Sequence, residues 1–272
     1  MYDTLELNID NGIANVLLNR PEKHNAINLD MFRELGEVGE FLSSNEDVRV
    51  VILSGNGKSF CAGIDLHSMG ELTQNGSFDE MALKPLEGSD SNFFQRAATI
   101  WHDIPVPVVA AIHGACLGGG MQICLGCDVR IASPDACFSI MELKWGIIPD
   151  MGISITLPRL INYEKAMELT MTNRKFSSNE ALDLGIVSKV TDSPTEESRL
   201  IADEILKKSP DAIYQLKRLY KAAWSPNKRD LLSLEATLQT SLMGGENQME
   251  AVAANFSNRA PNFKPMRKVL KS

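Results

Sequence analysis

The chain lacks most of the signals that would assign it quickly. Its start, MYDTLELNIDNG, has no basic segment followed by an apolar run and a small-residue cleavage site, so no secretory leader is expected. No apolar stretch reaches membrane-spanning length. The best candidate, IPVPVVAAIHGACLGGG, is broken by proline, histidine and a glycine triplet, so no membrane partner is expected. The ending KVLKS matches neither a K-D-E-L-type nor an S-K-L address signal. Histidine is scarce: His24, His67, His102 and His113 form no ligand pattern. Cys61, Cys116, Cys124, Cys127 and Cys137 make an odd count, which points to free thiols in a reducing setting, with the cytoplasm as the expected location. Cys124-x-x-Cys127 has no second pair at zinc spacing and reads as core packing, so no metal is expected. The nucleophile elbow G-x-S-x-G and the phosphate loop G-x-x-x-x-G-K-[ST] are also missing, and the triplet Gly118-Gly119-Gly120 does not complete G-x-G-x-x-G.

What is present describes an ordinary soluble domain. The 272 residues are 44% hydrophobic and 23% charged, enough to bury a large core without staples. The formal net charge of −8 argues against nucleic acid as a partner, while a local basic cluster could still hold a small anion.

Short β-branched runs alternate with helical patterns through the first half. TLELNID and GIANVLLN read as a hairpin turning at Asn11-Gly12. LDMFRELGEVGEFLSS has helical spacing with Asn28 as N-cap, and DVRVVILSG is a buried strand. Asp65 to Met69 opens like a helix, and residues 70–92 read as a polar loop. The helix SNFFQRAATIWHDI, the strand PVVAAIHG, the helix MQICLGCD and the strands DVRIAS and ACFSIM follow. After about residue 155 only helices are expected, among them one long pattern, KRDLLSLEATLQTSLMGGENQMEAVAANFS. Strands alternating with helices, then helices alone, predict an α/β core over 1–200 and a helical lobe over 201–272, built as one structural unit.

Three places carry chemistry. FCAGID (Phe60 to Asp65) and GACLGGGMQ (Gly114 to Gln122) each follow a buried strand and place glycines where the chain turns toward a helix. Two uses fit: close packing, or two helix N-termini whose free N–H groups hold an oxyanion. The third is CFSIMELKWGIIPD, an apolar stretch holding Glu142 and Asp150. Here a salt bridge from Glu142 to Lys144 and an N-cap role for Asp150 compete with a proton-transfer role, because an apolar pocket raises a carboxyl pKa toward neutrality. Lys207-Lys208 and Lys217-Arg218 read as solvated helix faces.

NRPEKHNAIN, VVILSGNGKSFCAGIDLHSM, PVPVVAAIHGACLGGGMQICLGCDVRIAS and FSIMELKWGIIPDMG, taken in order, resemble the crotonase (enoyl-CoA hydratase/isomerase) family over about residues 5–265. The resemblance implies a spiral of ββα units with a helical C-terminal trimerisation lobe, giving a homotrimer or hexamer. It implies an acyl-CoA thioester substrate in fatty-acid metabolism and no cofactor beyond the CoA that is part of that substrate. The backbone N–H groups of Ile64 and Gly119 would form the oxyanion hole. Lys23, His24, Ala26, Ala62 and Asp65 would lie along the bound CoA ester, and Phe256 and Arg259 match an element that reaches the CoA of a neighbouring subunit.

A typical hydratase of that family has glutamates at two positions, which here are Gln122 and Glu142. An amide cannot exchange a proton at neutral pH. Asp150 stands where most hydratases have a small residue, and the pair Glu142/Asp150, with the Gly63-to-Met69 turn, is similar to the Δ3,5-Δ2,4-dienoyl-CoA isomerase branch. That branch usually has aspartate at position 122, so the chain departs from it there. The resemblance therefore implies a dienoyl- or enoyl-CoA double-bond isomerase using Glu142 and Asp150, with Gln122 ordering a water or a carboxyl. An enoyl-CoA hydratase with Asp150 replacing the missing acid, and a non-catalytic acyl-CoA-binding protein, are the alternatives.

Overall fold

The computed structural model describes residues 2–65, 67–68, 78–223 and 228–266. Leu66, Met69 and residues 70–77, which belong to the expected turn and loop, lie outside the described residues.

Two sheets form the frame. β1 (Leu5–Asp10) and β2 (Ile13–Leu18) are an antiparallel hairpin, closed by Asn11 at φ 50° and Gly12 at φ 82°. Both positive angles are what a two-residue type I′ turn requires, which is why Asn-Gly stands there. β3 (Val50–Gly55), β4 (Val108–Ile112), β6 (Val129–Ala132) and β9 (Lys189–Val190) extend that hairpin in the order β1-β2-β3-β4-β6-β9, parallel from β2 onward. A second sheet joins β5 (Ala115–Leu117), β7 (Cys137–Ser139) and β8 (Phe176–Ser177).

The helices in chain order are α1 (Leu29–Ser44), α2 (Phe78–Leu83), α3 (Phe93–Asp103), α4 (Gly119–Leu125), α5 (Ile153–Thr156), α6 (Tyr163–Thr172), α7 (Ser178–Asp183), α8 (Pro194–Leu206), α9 (Pro210–Ala222), α10 (Lys228–Leu242) and α11 (Glu246–Phe256). Their starts follow sequence logic. The Asn28 side chain accepts from Met31 N–H, and Asn92 with Gln95 forms a reciprocal capping box.

The main sheet is covered on both faces, so its central strands are apolar throughout rather than alternating. Val50, Ile52, Val109, Ala111 and Ile131 point to α8 and pack with Ala202. Val51, Leu53, Val108, Ala110 and Ile112 point the other way, into the larger core with α1 and α3. Gly39 lets those two helices cross closely: a β-carbon there would lie 2.1 Å from Ile100 Cγ1.

Four expectations need correction. Residues 78–83, placed within a loop, form α2, whose Phe78 ring stacks on Phe94 at 5.3 Å and so gives the turn a core to hold. The region after 155 is not purely helical: Phe176–Ser177 forms β8 beside β7 and Lys189–Val190 adds the edge strand β9 beside β6, pairings too short to show periodicity. The long C-terminal pattern is two helices, broken at Gly244, which adopts φ 74°. Lys217 is not on a solvated face. It is 8% exposed, and its Nζ donates to Trp101 O, Val106 O and Asp128 Oδ2 at 3.1, 2.9 and 2.7 Å. Those carbonyls end α3 and precede β4, so this cation fastens α9 to the core.

Candidate active site

The chain brings three segments to one point. The first is the turn after β3: Cys61 pairs with Cys116 as an isolated parallel bridge, through Cys61 N–H to Ala115 O at 2.9 Å and Leu117 N–H to Cys61 O at 3.0 Å. This seats Ala62-Gly63-Ile64 beside the glycine triplet. Gly63 holds φ +99°, and a β-carbon on it would lie 3.0 Å from Leu117 O and 3.8 Å from Gly119 N. Only glycine fits so close an approach in that conformation.

The second segment is the start of α4. Gly118, at φ 51° and ψ −120°, turns the chain, and Gly119 opens the helix. A β-carbon at Gly119 would meet Ile27 Cδ1 at 2.9 Å, the Met151 sulfur at 3.2 Å and Ile64 Cγ1 at 3.3 Å. Among the described residues, neither the Ile64 nor the Gly119 N–H donates to a backbone carbonyl. Two adjacent, unspent backbone donors can hold a developing negative oxygen.

The third segment runs from β7. Glu142 opens a 3₁₀ turn (Glu142–Trp145) that ends at Gly146 in the left-handed region. Glu142 is 4% exposed, and its Oε1 accepts from Gln122 Nε2 at 2.7 Å. Its Oε2 is buried with no hydrogen-bond partner among the described residues. Burial is the largest influence on this carboxyl and raises its pKa. Its own backbone N–H and the Gln122 amide pull the other way, and the charge of Asp150 adds to the rise. Asp150 sits at the exposed rim, and desolvation by the surrounding protein raises its carboxyl too, partly offset by its own backbone N–H.

The two other roles open to these acids do not occur. Among the described residues Glu142 makes no salt bridge to Lys144, whose Nζ instead lies 5.1 Å from the Trp145 ring centre. Asp150 caps nothing: the N-cap of α5 is Gly152, with no side-chain cap. The geometry leaves two carboxyls biased toward protonation beside two free N–H donors, a set that can move protons while stabilising an enolate-like charge.

Around this centre the loop 23–27 is zipped to the 61–65 turn. Ala62 N–H donates to His24 O at 2.9 Å, Ile27 N–H to Gly63 O at 2.8 Å and Asp65 N–H to Ile27 O at 2.9 Å. His24, at φ 50°, places Nδ1 3.0 Å from Ser59 Oγ. Lys23 ends the short turn that precedes it. Asp65 faces Arg20, whose guanidinium also donates to Ala26 O; burial works to raise the Asp65 carboxyl, and the Arg20 and His67 donors overcome it, leaving the pKa lowered.

Phe256 and Arg259 are not drawn into this centre. Phe256 is 88% exposed on α11, and Arg259 pairs with Glu250 at 2.6 Å. Sequence reasoning missed Arg20 and Asn25. Asn25 is fully buried, accepts from Arg20 N–H and donates to the Asn56, Ser59 and Phe60 carbonyls, so it shapes the loop from inside. An asparagine between a histidine and an alanine, in a loop that needs positive φ, was the available signal. It also missed Met151, whose N–H donates to Gln122 Oε1 at 2.8 Å.

Cys61, Cys116, Cys124 and Cys127 are buried and free. Burial pushes the Cys61 thiol up to about 12, which makes it packing material rather than a nucleophile. No cluster among the described residues could hold a metal ion, and no helix among them is long and apolar enough to cross a membrane.

The enoyl-CoA hydratase/isomerase family model matches residues 8–266. The peroxisomal Delta(3,5)-Delta(2,4)-dienoyl-CoA isomerase of Arabidopsis thaliana is 38% identical, covering 96% of this chain and 97% of its own. The mitochondrial enzyme of the same name from Mus musculus is 34% identical over 95% and 81%. Among solved structures, the enoyl-CoA hydratase of Bacillus anthracis superposes with a TM-score of 0.88 at 28% identity, covering 96% of this chain and 99% of that one.

Proposed function

This chain belongs to the enoyl-CoA hydratase/isomerase family, and within it we propose that it isomerises the double bonds of acyl-CoA thioesters, with 3,5-dienoyl esters as substrate. The observation that carries the reading is the pair Glu142 and Asp150, both with raised pKa, beside a position 122 that holds an amide.

The reaction follows from the chemistry of the ester. The thioester oxygen accepts the Ile64 and Gly119 N–H groups. One acid, as carboxylate, takes a proton from the carbon next to the carbonyl. The electron pair enters the carbonyl and the conjugated double bonds, giving an extended dienolate whose oxygen carries most of the charge. The other acid, protonated, returns a proton at the far end of the conjugated system. Atoms and charge balance without water, so product and substrate have equal mass. Each N–H donor contributes on the order of 3–4 kcal/mol to holding the dienolate. Raised carboxyl pKa values suit both steps, because they make each carboxylate a stronger base and keep its protonated form populated to higher pH.

Lys23, His24, Ala26, Ala62 and Asp65 form the rim along which the CoA portion runs in this reading, with the Arg20 guanidinium bound to Ala26 O and Asp65. The chain works as a homotrimer, through the C-terminal lobe. Large apolar side chains stand exposed there, including Tyr220 at 66%, Met249 at 56% and Phe256 at 88%, a density that a lone domain rarely shows to water. Phe256 and Arg259 would then meet the CoA of a neighbour.

The experiment is turnover of 3,5-dienoyl-CoA by wild type, Glu142→Gln and Asp150→Asn, followed by absorbance and product mass. Isomerisation at unchanged mass, with each variant slowed at least about 100-fold, supports the reading. Full rates in both variants refute it. The likeness to the Bacillus anthracis hydratase keeps one other reading in play, in which Asp150 helps add water to 2-enoyl esters. A gain of one water in the product mass would select it.

A further inference from the structure

Resting on the isomerase reading above, we propose that Gln122 is the positioning residue that ties the two acids into one frame and leaves Oε2 of Glu142 as the oxygen that exchanges the proton. One side-chain amide makes both ties. Its Nε2 donates to Glu142 Oε1 at 2.7 Å, and its Oε1 accepts from the N–H of Met151, the residue after Asp150, at 2.8 Å. Gln122 is 1% exposed and sits on α4, one turn after Gly119, so the same short helix carries an oxyanion donor and this link.

An amide does this at every pH, whereas a carboxyl at 122 could do it only while protonated. The Glu142 carboxylate needs a donor and the Met151 N–H needs an acceptor, so one flip state of the amide satisfies both and the other satisfies neither. An ionised carboxylate at 122 could accept from Met151 but could not donate to Glu142. Asparagine is one methylene too short to span both partners. With Oε1 occupied, Glu142 cannot present either oxygen at random: Gly118 lies against Oε1, where a β-carbon would sit at 3.4 Å, and Oε2 is the buried atom without a partner among the described residues. A buried, unpartnered carboxylate oxygen costs stability unless the site uses it.

Among the described residues, the charged surroundings of Glu142 are few. Asp150 is the charged neighbour that raises it. Lys144 on its own turn lies over Trp145. On α6, which packs against that turn, Glu164 and Lys165 are exposed and Glu168 is paired with Arg174 at 2.5 Å. The Gln122 amide is thus the side-chain contact that joins the backbone N–H groups of Glu142 and Met141 in opposing Asp150 and burial at this carboxyl.

The test titrates the Glu142 carboxyl by ¹³C NMR in glutamate-labelled protein, its resonance identified by its absence in Glu142→Gln. Wild type is compared with Gln122→Met, which keeps the shape without the amide, and Gln122→Glu, which keeps the acceptor but replaces the fixed N–H donor with a titrating carboxyl. The expected result is titration at higher pH in Gln122→Met and two coupled steps in Gln122→Glu. Isomerase kcat should fall about 10–100-fold with KM within about threefold, the size expected for one lost hydrogen bond to a charged group. The acid limb of the rate profile should move to higher pH with the titration. A Glu142 titration unmoved in both variants overturns the proposal, even if kcat falls, because a packing role alone would give that pattern. If Gln122→Met does not fold, the near-isosteric Gln122→Glu decides. Wild type that turns over no dienoyl or enoyl ester would sink the reaction assigned above, while the titration would still decide the role of Gln122.

Discussion

Replacing Glu142 by glutamine should make the protein relatively more stable as pH rises, at the cost of its chemistry. Burial raises this carboxyl in the folded state, whereas in the unfolded chain it titrates near its ordinary value of about 4.3. Between those two values the folded protein binds more protons than the unfolded one, so raising the pH removes stability. The contribution is fully present below the unfolded value and is lost as pH climbs through the raised folded value. Glutamine has no such proton, and its repacking energy is a constant that does not change with pH. The difference in melting temperature, variant minus wild type, must therefore rise across that window and flatten above it. The limit is one proton, about 1.4 kcal/mol for each pH unit lying wholly inside the window. For a chain of this size that is about 2–3 °C per unit. The Asp150 charge acts on this carboxyl, so the measured slope belongs to the pair. Calorimetry of both proteins at half-unit steps from pH 4.5 to 8 is the assay. A difference that is flat, or that falls with pH, would show that Glu142 is not a carboxyl of raised pKa and would remove the basis for its role.

Two further substitutions test the frame around the site. Lys217→Met should lower stability by about 3 kcal/mol in urea unfolding, because Asp128 and two carbonyls lose a buried cation; a loss under 1 kcal/mol would mean the clip between α9 and the core is ornamental. Gly63→Ala forces a β-carbon to 3.0 Å from Leu117 O at φ +99° and displaces the Ile64 N–H, so kcat should drop about 100–1,000-fold with KM changed far less. A kcat within threefold of wild type would show that this N–H is not aimed at the reacting oxygen. Sedimentation equilibrium checks the trimer, which a monomer at micromolar concentration would exclude.

How much was legible in the sequence depended on whether a residue's partner was near in the chain. Asn11-Gly12, Asn28 and the apolar runs of β3 and β4 state their structure locally, and all lie where the patterns placed them. Lys217 does not, since its three acceptors are about 90 to 116 positions away and nothing in KRLYK distinguishes a buried lysine from a solvated one. The edge strand β9 is two residues long, below the length at which alternation carries information. Glu142 and Asp150 were visible as acids in an apolar stretch, but their competing roles could be separated only by seeing Lys144 turned onto Trp145 and Gly152 standing at the helix cap.

Gln122 is the sharper case, because its residue type was legible and its meaning was not. Read alone, an amide where a hydratase-like chain has an acid looks like a lost function. The structure gives that amide a donor end and an acceptor end that are both used, on partners 20 and 29 positions away. An extra carboxylate there would stand beside Glu142, and two like charges at that spacing cannot both ionise. The site therefore keeps two acids in different settings, Glu142 deep and Asp150 at the rim, rather than three sharing one pocket. With one carboxyl buried against an amide and the other at the rim, the two sit in unlike surroundings and need not titrate together. Proton transfer between two carbons requires that difference.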